Sequence, residues 1–384
     1  MALTIWQLDP ANLTPYYNLA ICQALAQAGQ QVRYITSRYL YDKHLPISQQ
    51  FTVEYPYFRG ISQQWLLKTP RLRKLLRGLS YPINHWQVLQ KIKHHQPDII
   101  HIQWSRLPRF DLSFIRAIKK LNRPVVHTIH NVRSSFATDD DITQLGKVYH
   151  LCDQIILHTY ANQQAFLALY PDISVDKTTV IPMIHAPSHI PNHPYPTRHL
   201  FQLTKEHFVF LFFGIIRQYK GLDLLLEAFR QIHKQYPHAR LLIAGKPETQ
   251  SDLQLIYSAK NQPGVIVREG FIPADILWQY FAAADISVFP YRYVTQSAAL
   301  IQAMEFGKPV IVTDVGGLAE VIDNNGWIVP SITVENLTQT MIDALNTPEQ
   351  TRLIMGARSA EIVATHHNSQ AIAQKLVACY QRLI

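Results

Sequence analysis

The sequence has little cysteine, and its cysteines are not spaced for disulfides or for a metal site. Cys22, Cys152 and Cys379 are the only three among 384 residues. An odd, scattered set of this kind is typical of a reducing compartment, so we expect a cytoplasmic protein. The first residues form a short apolar patch without a basic region, and we therefore expect no signal peptide.

Long apolar runs are absent as well. No run approaches the roughly 18 residues that a membrane-spanning helix needs. Hydrophobic residues make up 47% of the chain and charged residues 16%, a balance typical of globular rather than disordered proteins. A chain of 384 residues is too long for one ordinary core and predicts two domains.

Acidic residues are missing between Glu54 and Asp98, although the chain as a whole carries a formal net charge of +9. We expect residues 59–93 to lie on an anionic membrane surface, because basic and apolar side chains alternate there at helical spacing. An ordinary surface helix with solvated arginines remains the alternative. We expect no nucleic acid, because no RRM, KH, helix-turn-helix or zinc pattern accompanies the charge. The cations of this stretch are Arg59, Lys68, Arg71, Arg73, Lys74, Arg77, Lys91 and Lys93.

Short β-branched runs alternate with amphipathic stretches, which predicts parallel sheets covered by helices on both faces. A helix from Asn18 to Ala28 is predicted to end at Gly29. The predicted strands are 3–7, 31–36, 98–104, 124–130, 154–159 and 178–182 in the first half, and 208–214, 239–245, 264–270, 285–290, 309–314 and 326–330 in the second.

The proline-rich stretch 185–198 interrupts this alternation and predicts an interdomain linker. We therefore expect an α/β fold of two Rossmann-like, parallel-sheet domains that face each other across a cleft. The first would span residues 1–190 and the second 199–368. The last helical stretch, 369–384, is expected to pack back onto the first domain.

Two turns of the second half are suited to phosphate. One follows a strand at Gly214 and carries Arg217 and Lys220, and the other follows the strand 285–290 and opens a helix at Thr295. Each brings a helix N-terminus, with its unpaired N–H groups, to the carboxyl edge of a parallel sheet, where α/β proteins hold phosphate. Together they predict a diphosphate ligand. A further helix is expected after the turn at Gly316.

Four segments of the second half match a known family in order: FGIIRQYKGLDLLLEAF, LLIAGKP, REGFIPADILWQYFAAADISVFPYR and TQSAALIQAMEFGKPVIVTDVGGLAEVI. They resemble the family-4 retaining glycosyltransferases (glycosyl transferases group 1), which have the GT-B fold. The first half resembles that family more weakly, through DIIHIQW, VVHTIHN and CDQIILHT. The resemblance implies transfer of a sugar from a nucleotide diphosphate-sugar with retained anomeric configuration, without a metal and without another cofactor.

The two cations of the first turn fit this chemistry. Negative charge grows on the bridging oxygen of the diphosphate as the glycosidic bond breaks, and Arg217 and Lys220 would stabilise it most in the transition state. In the family that the sequence resembles, this Arg and Lys clamp the diphosphate. The alternative is a pair of exposed cations at a helix start, which the helix dipole disfavours.

The second turn offers hydrogen-bond donors to the same ligand. Thr295, Gln296 and Ser297 open the helix, and their side chains and N–H groups suit phosphate oxygens. Simple N-capping by Thr or Ser is the alternative. Tyr291 and Arg292, just before them, are candidates to reach the donor sugar or phosphate.

The sequence departs from the family at two glutamates that normally lie eight residues apart. Val294 stands at the first position and Gln302 at the second. Gln302 can still bond ribose hydroxyls, although an amide accepts less strongly than a carboxylate, whereas Val294 offers nothing comparable. Glu305 lies one helical turn further on and is read as a surface or acceptor-facing residue.

The first half contributes fewer candidates. His130 and Asn131 end a strand at its carboxyl edge, where an imidazole would hydrogen-bond a sugar hydroxyl; a structural histidine is the alternative. Pro15 and Tyr16 are expected to shape the acceptor or nucleotide site. Glu320 is expected near the cleft, although the helix dipole alone would also favour a glutamate there.

The sequence leaves three main functions open, besides sugar-nucleotide epimerase or phosphorylase chemistry on the same fold. The first is a glycosyltransferase at the cytoplasmic membrane surface that extends a lipid-linked acceptor in polysaccharide or glycoconjugate biosynthesis. The second is a transferase acting on a soluble small molecule. The third is an inactive or weakly active GT-B scaffold or partner subunit. The sequence specifies neither the nucleotide, the sugar, the acceptor nor the linkage.

Overall fold

A computed structural model describes residues 2–39, 48–61, 69–132, 138–185 and 196–384. The chain forms two compact units, one made of Met1–Ala186 together with Asn368–Ile384 and the other of Pro187–His367. None of the helices in this described part of the chain has the length and apolarity that a membrane span requires.

The sheet of the first unit is parallel throughout. Its strands are β1 (Thr4–Asp9), β2 (Gln31–Ser37), β3 (Thr52–Tyr57), β4 (Ile99–Ile102), β5 (Val125–Thr128), β6 (Gln154–Leu157) and β7 (Thr178–Val180). They lie side by side in the order β3-β2-β1-β4-β5-β6-β7. Strands β4, β5 and β6 are buried along their whole length, as expected for parallel strands covered on both faces.

Helices flank this sheet. They are α1 (Pro15–Gln27), α2 (Pro70–His95), α3 (Pro108–Lys119), α4 (Asp139–Leu151) and α5 (Tyr160–Leu169). Three of them begin with proline, whose fixed φ and missing N–H suit the first helical position.

The second unit repeats the plan. Its strands are β8 (Phe208–Phe213), β9 (Ala239–Gly245), β10 (Val265–Glu269), β11 (Ile286–Phe289), β12 (Val310–Thr313) and β13 (Gly326–Val329). They pair in parallel in the order β10-β9-β8-β11-β12-β13. Its helices are α6 (Leu222–Gln235), α7 (Gln250–Lys260), α8 (Leu277–Ala283), α9 (Ala298–Glu305), α10 (Val334–Asn346) and α11 (Glu349–His366).

A last helix, α12 (Ser369–Gln381), belongs to the first unit rather than the second. Leu376 and Tyr380 of α12 are buried in one apolar cluster with Ile5 and Cys22. The Tyr380 hydroxyl and His101 Nδ1, on β4, are also hydrogen-bonded at 2.7 Å. The core of the first unit is therefore completed by chain that follows the whole of the second.

The predicted fold class, two parallel-sheet α/β domains, is confirmed. Three local predictions were wrong. Strand β3 was missed because Glu54 and Pro56 interrupt its pattern; a proline is tolerated there because β3 is an edge strand. Helix α1 begins at Pro15 instead of Asn18. The turn at Gly316 leads only to a short 3-10 helix, Ala319–Val321. Most of the predicted linker (186–195) and part of the basic stretch (62–68) lie outside the described residues.

Candidate active site

Lys220 lies against the backbone at the carboxyl end of β8. Gly214 follows β8 with φ +117°, and Lys220 ends the 3-10 helix Gln218–Lys220 with 9% of its surface exposed. A Cβ on Gly214 would lie 3.2 Å from Lys220 Nζ and 3.7 Å from Ala299 Cβ. The absence of a side chain at Gly214 therefore lets the ammonium group and the first turn of α9 approach the same point.

Lys220 is a buried cation that forms no ion pair with a carboxylate among the described residues; the negative charge of Glu248 acts on it only from a distance. Its Nζ lies 5.4 Å from the centre of the Tyr291 ring, a cation–π contact. Burial, and after it the positive charge of Arg217, lowers the pKa of Lys220 from 10.5 to about 8. A buried unpaired charge is unfavourable in the free protein, so this position is suited to an anionic ligand.

Arg217 is engaged by a carboxylate. Its Nη2 lies 2.7 Å from Glu248 Oε1 and its Nε 2.5 Å from Glu248 Oε2. Glu248 follows β9, the strand beside β8. The side chains of Arg217 and Glu248 are 40% and 48% exposed, so the pair contributes little to stability and can open toward a competing anion.

The turn after β11 packs on the segment around Lys220. Tyr291 is buried and its hydroxyl lies 3.5 Å from Ser297 Oγ. Ser297 Oγ accepts a hydrogen bond from the Leu300 N–H at 3.2 Å, which makes Ser297 the N-cap of α9. Ser297 is therefore a helix cap, as the alternative reading of the sequence had it. Its contacts use the N–H groups of Leu300 and Ile301, so the N–H groups of Ala298 and Ala299 are the donors that α9 offers to a ligand.

Gln296 and Thr295 lie at the same helix start. The buried Oε1 of Gln296 has no hydrogen-bond partner in the described part of the chain. The Thr295 carbonyl accepts from the Gly317 N–H at 3.2 Å, and a Cβ on Gly316 would lie 1.8 Å from the Val294 carbonyl oxygen. The turn at Gly316, with φ +53°, is therefore packed directly against the turn that precedes α9.

Arg292 forms contacts that the sequence did not reveal. Its guanidinium donates to both carboxylate oxygens of Asp223 at 2.8 and 2.6 Å, and to the Gln218 carbonyl at 3.0 Å. Its backbone N–H donates to the Tyr219 carbonyl at 2.7 Å. In this structure Arg292 ties the two turns together, with Asp223 at the start of α6 as the anchor.

Val294 and Gln302, which stand where the family normally has glutamates, lie close to this site. Gln302 and Glu305 lie on α9, and Val294 lies in the turn before it; all three are half-buried. Glu320 lies in the 3-10 helix after Gly316 and is exposed.

The remaining predicted residues belong to the first unit. His130 follows β5; its Nε2 lies 3.0 Å from Gln103 Oε1 and its Nδ1 3.4 Å from His158 Nε2. Its ring stacks on Trp104 with 4.8 Å between centroids. Burial and the neighbouring histidines lower the pKa of His130 well below its usual range, so the imidazole is neutral. Asn131 is exposed beside it.

Pro15 and Tyr16 open α1. Pro15 is buried at the first helical position, whereas Tyr16 is 48% exposed. The predicted set is thus divided: His130, Asn131, Pro15 and Tyr16 lie in the first unit and the others in the second. Among the described residues, no group of three His, Cys, Asp or Glu side chains is placed to hold a metal ion.

Sequence reasoning missed Glu248, Asp223 and Gln103. Glu248 follows the matched segment LLIAGKP at the carboxyl end of β9, and this edge position was the one available signal for it. Asp223 and Gln103 carry no comparable signal, because they act through partners 69 and 27 residues away.

Two family profiles match the chain in succession. The profile described as Glycosyltransferase Family 4 matches residues 16–183, and the one described as Glycosyl transferases group 1 matches residues 207–347. The chain belongs to this glycosyltransferase family. Each profile falls within one of the two units, so both halves of the fold carry the family relationship.

The chain is similar to several bacterial glycosyltransferases. The chain is 30% identical over 121 residues to GDP-mannose:glycolipid 4-beta-D-mannosyltransferase of Xanthomonas campestris pv. campestris, covering 31% of this chain and 34% of that protein. It is 22% identical over 356 residues, 90% of both chains, to an uncharacterized glycosyltransferase of Haemophilus influenzae. The chain spans less than half the length of the first curated relatives that it matches, namely 31%, 46% and 42%.

The GT-B fold is shown by solved structures. Anabaena HepE in complex with UDP-glucose matches with a TM-score of 0.71 at 17% identity, over 99% of this chain and 100% of that one. Sucrose-phosphate synthase of Thermosynechococcus elongatus matches with a TM-score of 0.70 at 19% identity, over 99% and 98%. At this level of identity, the likeness concerns the fold alone.

Proposed function

We propose that the protein is a retaining, metal-independent glycosyltransferase. It moves a sugar from a nucleotide diphosphate-sugar to a lipid-linked glycan acceptor in polysaccharide or glycoconjugate biosynthesis. The observation that carries the proposal is Lys220, a buried ammonium group without a carboxylate partner among the described residues, held beside Gly214 and the start of α9. The UDP-glucose complex of Anabaena HepE and the glycolipid acceptor in the name of the Xanthomonas relative support the choice of substrates.

Lys220 has the position and charge to assist departure of the diphosphate. In the proposed step, the bond between the anomeric carbon and the diphosphate oxygen breaks, and its electron pair stays on that oxygen. The acceptor hydroxyl oxygen bonds to the same face of the carbon, and its proton passes to the departing diphosphate. A fixed cation at the oxygen stabilises charge that develops only in the transition state.

The surroundings of Lys220 complete the anion site. The N–H groups of Ala298 and Ala299 and the positive end of the α9 dipole lie at the helix start that Lys220 approaches. The buried Oε1 of Gln296, which has no hydrogen-bond partner in the described residues, is an acceptor and would bond a sugar or ribose hydroxyl of the donor. Arg217 would join them after exchanging Glu248 for a phosphate oxygen. Lys220, Arg217 and the dipole of α9 would supply the positive charge that a metal ion supplies in other transferases.

Helix α2 supports contact with an anionic membrane surface. Its solvent face carries a stripe of apolar side chains, each between 43% and 64% exposed. They recur every three or four residues, so they lie along one side of the helix, while basic residues flank them. The opposite face of α2 packs into the core of the first unit. The stripe consists of Leu72, Leu75, Leu79, Ile83 and Trp86.

A catalytically weak scaffold is the second candidate. The observation that favours it is Val294 and Gln302, which replace the two glutamates of the family pattern. Lys220 argues for the enzyme, since a scaffold gains nothing from a buried cation that lowers its stability.

A thermal-shift screen against UDP, GDP, ADP and their sugars tests the proposal. A ligand that binds only the folded state raises the melting temperature by mass action. We expect one nucleotide family to stabilise the wild type, Lys220→Ala to lose that shift, and Lys260→Ala, an exposed lysine of the same unit, to keep it. With that nucleotide-sugar and a lipid-linked acceptor, Lys220→Ala should then lower the transfer rate about 10²- to 10³-fold. If no nucleotide shifts the wild type, the proposal fails.

A further inference from the structure

The first unit contains a cavity of about 420 Å³ that the proposed donor chemistry does not use. The loops that follow β1, β3 and β4 line it, together with the first turns of α2. Because all these strands are parallel, the cavity lies at the carboxyl edge of the sheet, where α/β proteins bind ligands. Its lining includes Leu13, Phe58, Arg73, Lys74, Arg77 and Arg106.

The lining of the cavity is strongly basic. Four of its residues are cations, three from α2 and Arg106 from the loop after β4, and no aspartate or glutamate is among the lining residues. Arg73, Lys74 and Arg106 form no ion pair with any carboxylate in the described part of the chain. The Nε of Arg73 is buried and has no hydrogen-bond partner there. Guanidinium groups in such a position are suited to the paired oxygens of a phosphate.

The walls are held in place by the protein itself. Phe58 has φ +56°, an unusual value for an aromatic residue, and its N–H donates to Asn84 Oδ1 at 3.0 Å. The Arg77 guanidinium lies 4.2 Å from the centre of the Phe58 ring. On the other side, Asp9 accepts from the Leu13 N–H at 2.8 Å and fixes the loop after β1. The cavity is therefore formed before any ligand arrives.

Asp111, a buried acid that holds the wall of the cavity at Leu107, has its hydrogen-bond partners inside the protein. Asp111 Oδ1 accepts from the Tyr81 hydroxyl at 2.7 Å and lies 3.0 Å from His85 Nε2. Its Oδ2 accepts from the Leu107 N–H at 3.0 Å. These contacts use the carboxylate of Asp111 inside the protein, so it does not neutralise Arg73, Lys74 or Arg106.

A tryptophan near the wall of the cavity contacts His130. Trp104, two residues before Arg106, stacks on His130 and donates its indole N–H to Thr14 Oγ1 at 3.1 Å. Trp104 therefore joins the loop after β1 to His130, the histidine predicted to bond a sugar hydroxyl. A group bound in the cavity lies on the same edge of the same sheet as His130.

We propose that this cavity binds the phosphate or diphosphate group of the acceptor. Arg73, Arg77 and Arg106 would hold the oxygens, while Phe58 and Leu13 contact the carbon skeleton next to them. The acceptor role rests on the proposed function; the anion site itself does not. A phosphorylated acceptor could be a lipid phosphate or a water-soluble sugar phosphate, and the cations recognise the chemistry that the two share.

Calorimetric titration with inorganic pyrophosphate tests the site. The protein carries Arg217→Ala and Lys220→Ala throughout, so that the proposed donor site does not compete for the probe. We expect Arg73→Ala with Arg77→Ala to weaken binding at least tenfold. Arg71→Ala with Lys93→Ala removes the same charge from exposed positions of α2 that do not line the cavity, and should change binding less than twofold. Equal losses in the two double variants, or no binding at all, overturn the proposal.

Additional measurements identify the source of the phosphate and show whether each variant is folded. Arg106→Ala, on a different element, should also weaken pyrophosphate binding, and the melting temperature reports whether each variant is folded. Farnesyl diphosphate binding more tightly than glucose 1-phosphate identifies a lipid acceptor, and the reverse order a soluble one; both must depend on Arg73 and Arg77. In the chain with Arg217 and Lys220 intact, the cavity variants should keep the nucleotide-sugar thermal shift. If the wild type itself shows no thermal shift with a nucleotide-sugar, the proposed function fails, whereas the anion site is judged by the pyrophosphate titration.

Discussion

Arg217 and Glu248 form a two-point ion pair between the carboxyl ends of neighbouring strands, with N–O distances of 2.7 and 2.5 Å. The pair occupies one edge of the guanidinium that the proposed diphosphate requires. Glu248 therefore competes with the donor for the same cation, and the pair keeps Arg217 in position until the donor arrives.

Glu248→Gln should strengthen donor binding. The substitution removes the competing negative charge while keeping the shape of the side chain, and an exposed pair of this kind is worth at most about 1 kcal/mol. We expect donor affinity to rise up to about fivefold, measured by titration calorimetry. Glu269→Gln, which disrupts the exposed pair with Lys260 in the same unit, serves as control and should leave affinity unchanged. Weaker binding by the Glu248 variant would mean that Glu248 orients Arg217 for the phosphate.

Donor affinity should fall as the pH rises through about 8. Lys220 binds the diphosphate as an ammonium group, its pKa in the free protein is about 8, and the two phosphate groups of a nucleotide-sugar do not titrate nearby. Lys220→Arg stays charged and should give a flat profile from about pH 7 to about pH 9.5. A wild-type profile that is equally flat would contradict the assignment of Lys220.

The same pKa has the opposite effect on stability. Between pH 8 and the ordinary pKa of 10.5, the unfolded chain holds the Lys220 proton and the folded protein has released it. The free energy of unfolding of the unliganded protein should therefore rise with pH in this window. Denaturant unfolding of wild type and Lys220→Ala at several pH values isolates this contribution, which should be missing from the variant.

Gly214→Ala should impair donor binding beyond its effect on stability. The new Cβ meets Lys220 Nζ at 3.2 Å and must displace the ammonium group, in addition to backbone strain of about 1–3 kcal/mol at φ +117°. Gly270→Ala provides the matched control, since Gly270 has φ +130° and nothing within 4 Å of an added Cβ. We expect both variants to lose stability in denaturant unfolding and Gly214→Ala alone to lose donor affinity. Equal affinities would show that Lys220 does not depend on this approach.

Gln302→Glu should improve donor binding if the protein is an active transferase. A carboxylate accepts hydrogen bonds from ribose hydroxyls more strongly than an amide does, by about 1 kcal/mol, or about fivefold in affinity. Gln339→Glu, on the exposed side of α10, controls for the added negative charge. A Gln302 variant with unchanged affinity and no transfer activity would favour the scaffold.

The apolar stripe of α2 should govern membrane binding. Leu75→Ser with Leu79→Ser removes two side chains that are 60% and 64% exposed, so the fold should be unaffected while co-sedimentation with anionic vesicles decreases severalfold. Leu353→Ser with Ile354→Ser removes comparable exposure, 61% and 62%, from the second unit and should leave sedimentation unchanged. Failure of the wild type to bind such vesicles at physiological salt rules out the membrane contact.

Much of the fold was predictable because it depends on local patterns. Continuous apolar runs located most strands, and the glycine after β8 located the turn that carries Lys220. Strand β3 was missed because Pro56 interrupts the run of strand-forming residues. The proline is tolerated because β3 lies at the edge of the sheet. The helix expected after Gly316 shortened to one 3-10 turn, which lies beside the turn that precedes α9.

The site was less predictable because its details are long-range. The chemistry indicated Arg217 and Arg292, but their partners Glu248 and Asp223 lie 31 and 69 residues away along the chain. The cationic cavity joins three loops and one helix, and the sequence presented its arginines only as one face of a basic stretch. Side-chain pairing across a sheet edge depends on strand order, which periodicity does not contain.

The placement of α12 sets an order of assembly during synthesis. Ile5 and Cys22 emerge from the ribosome early, yet Leu376 and Tyr380, which cover them, are translated only after every residue of β8 to β13. The unit with Lys220 can thus reach its native state while the other still exposes an uncovered apolar face.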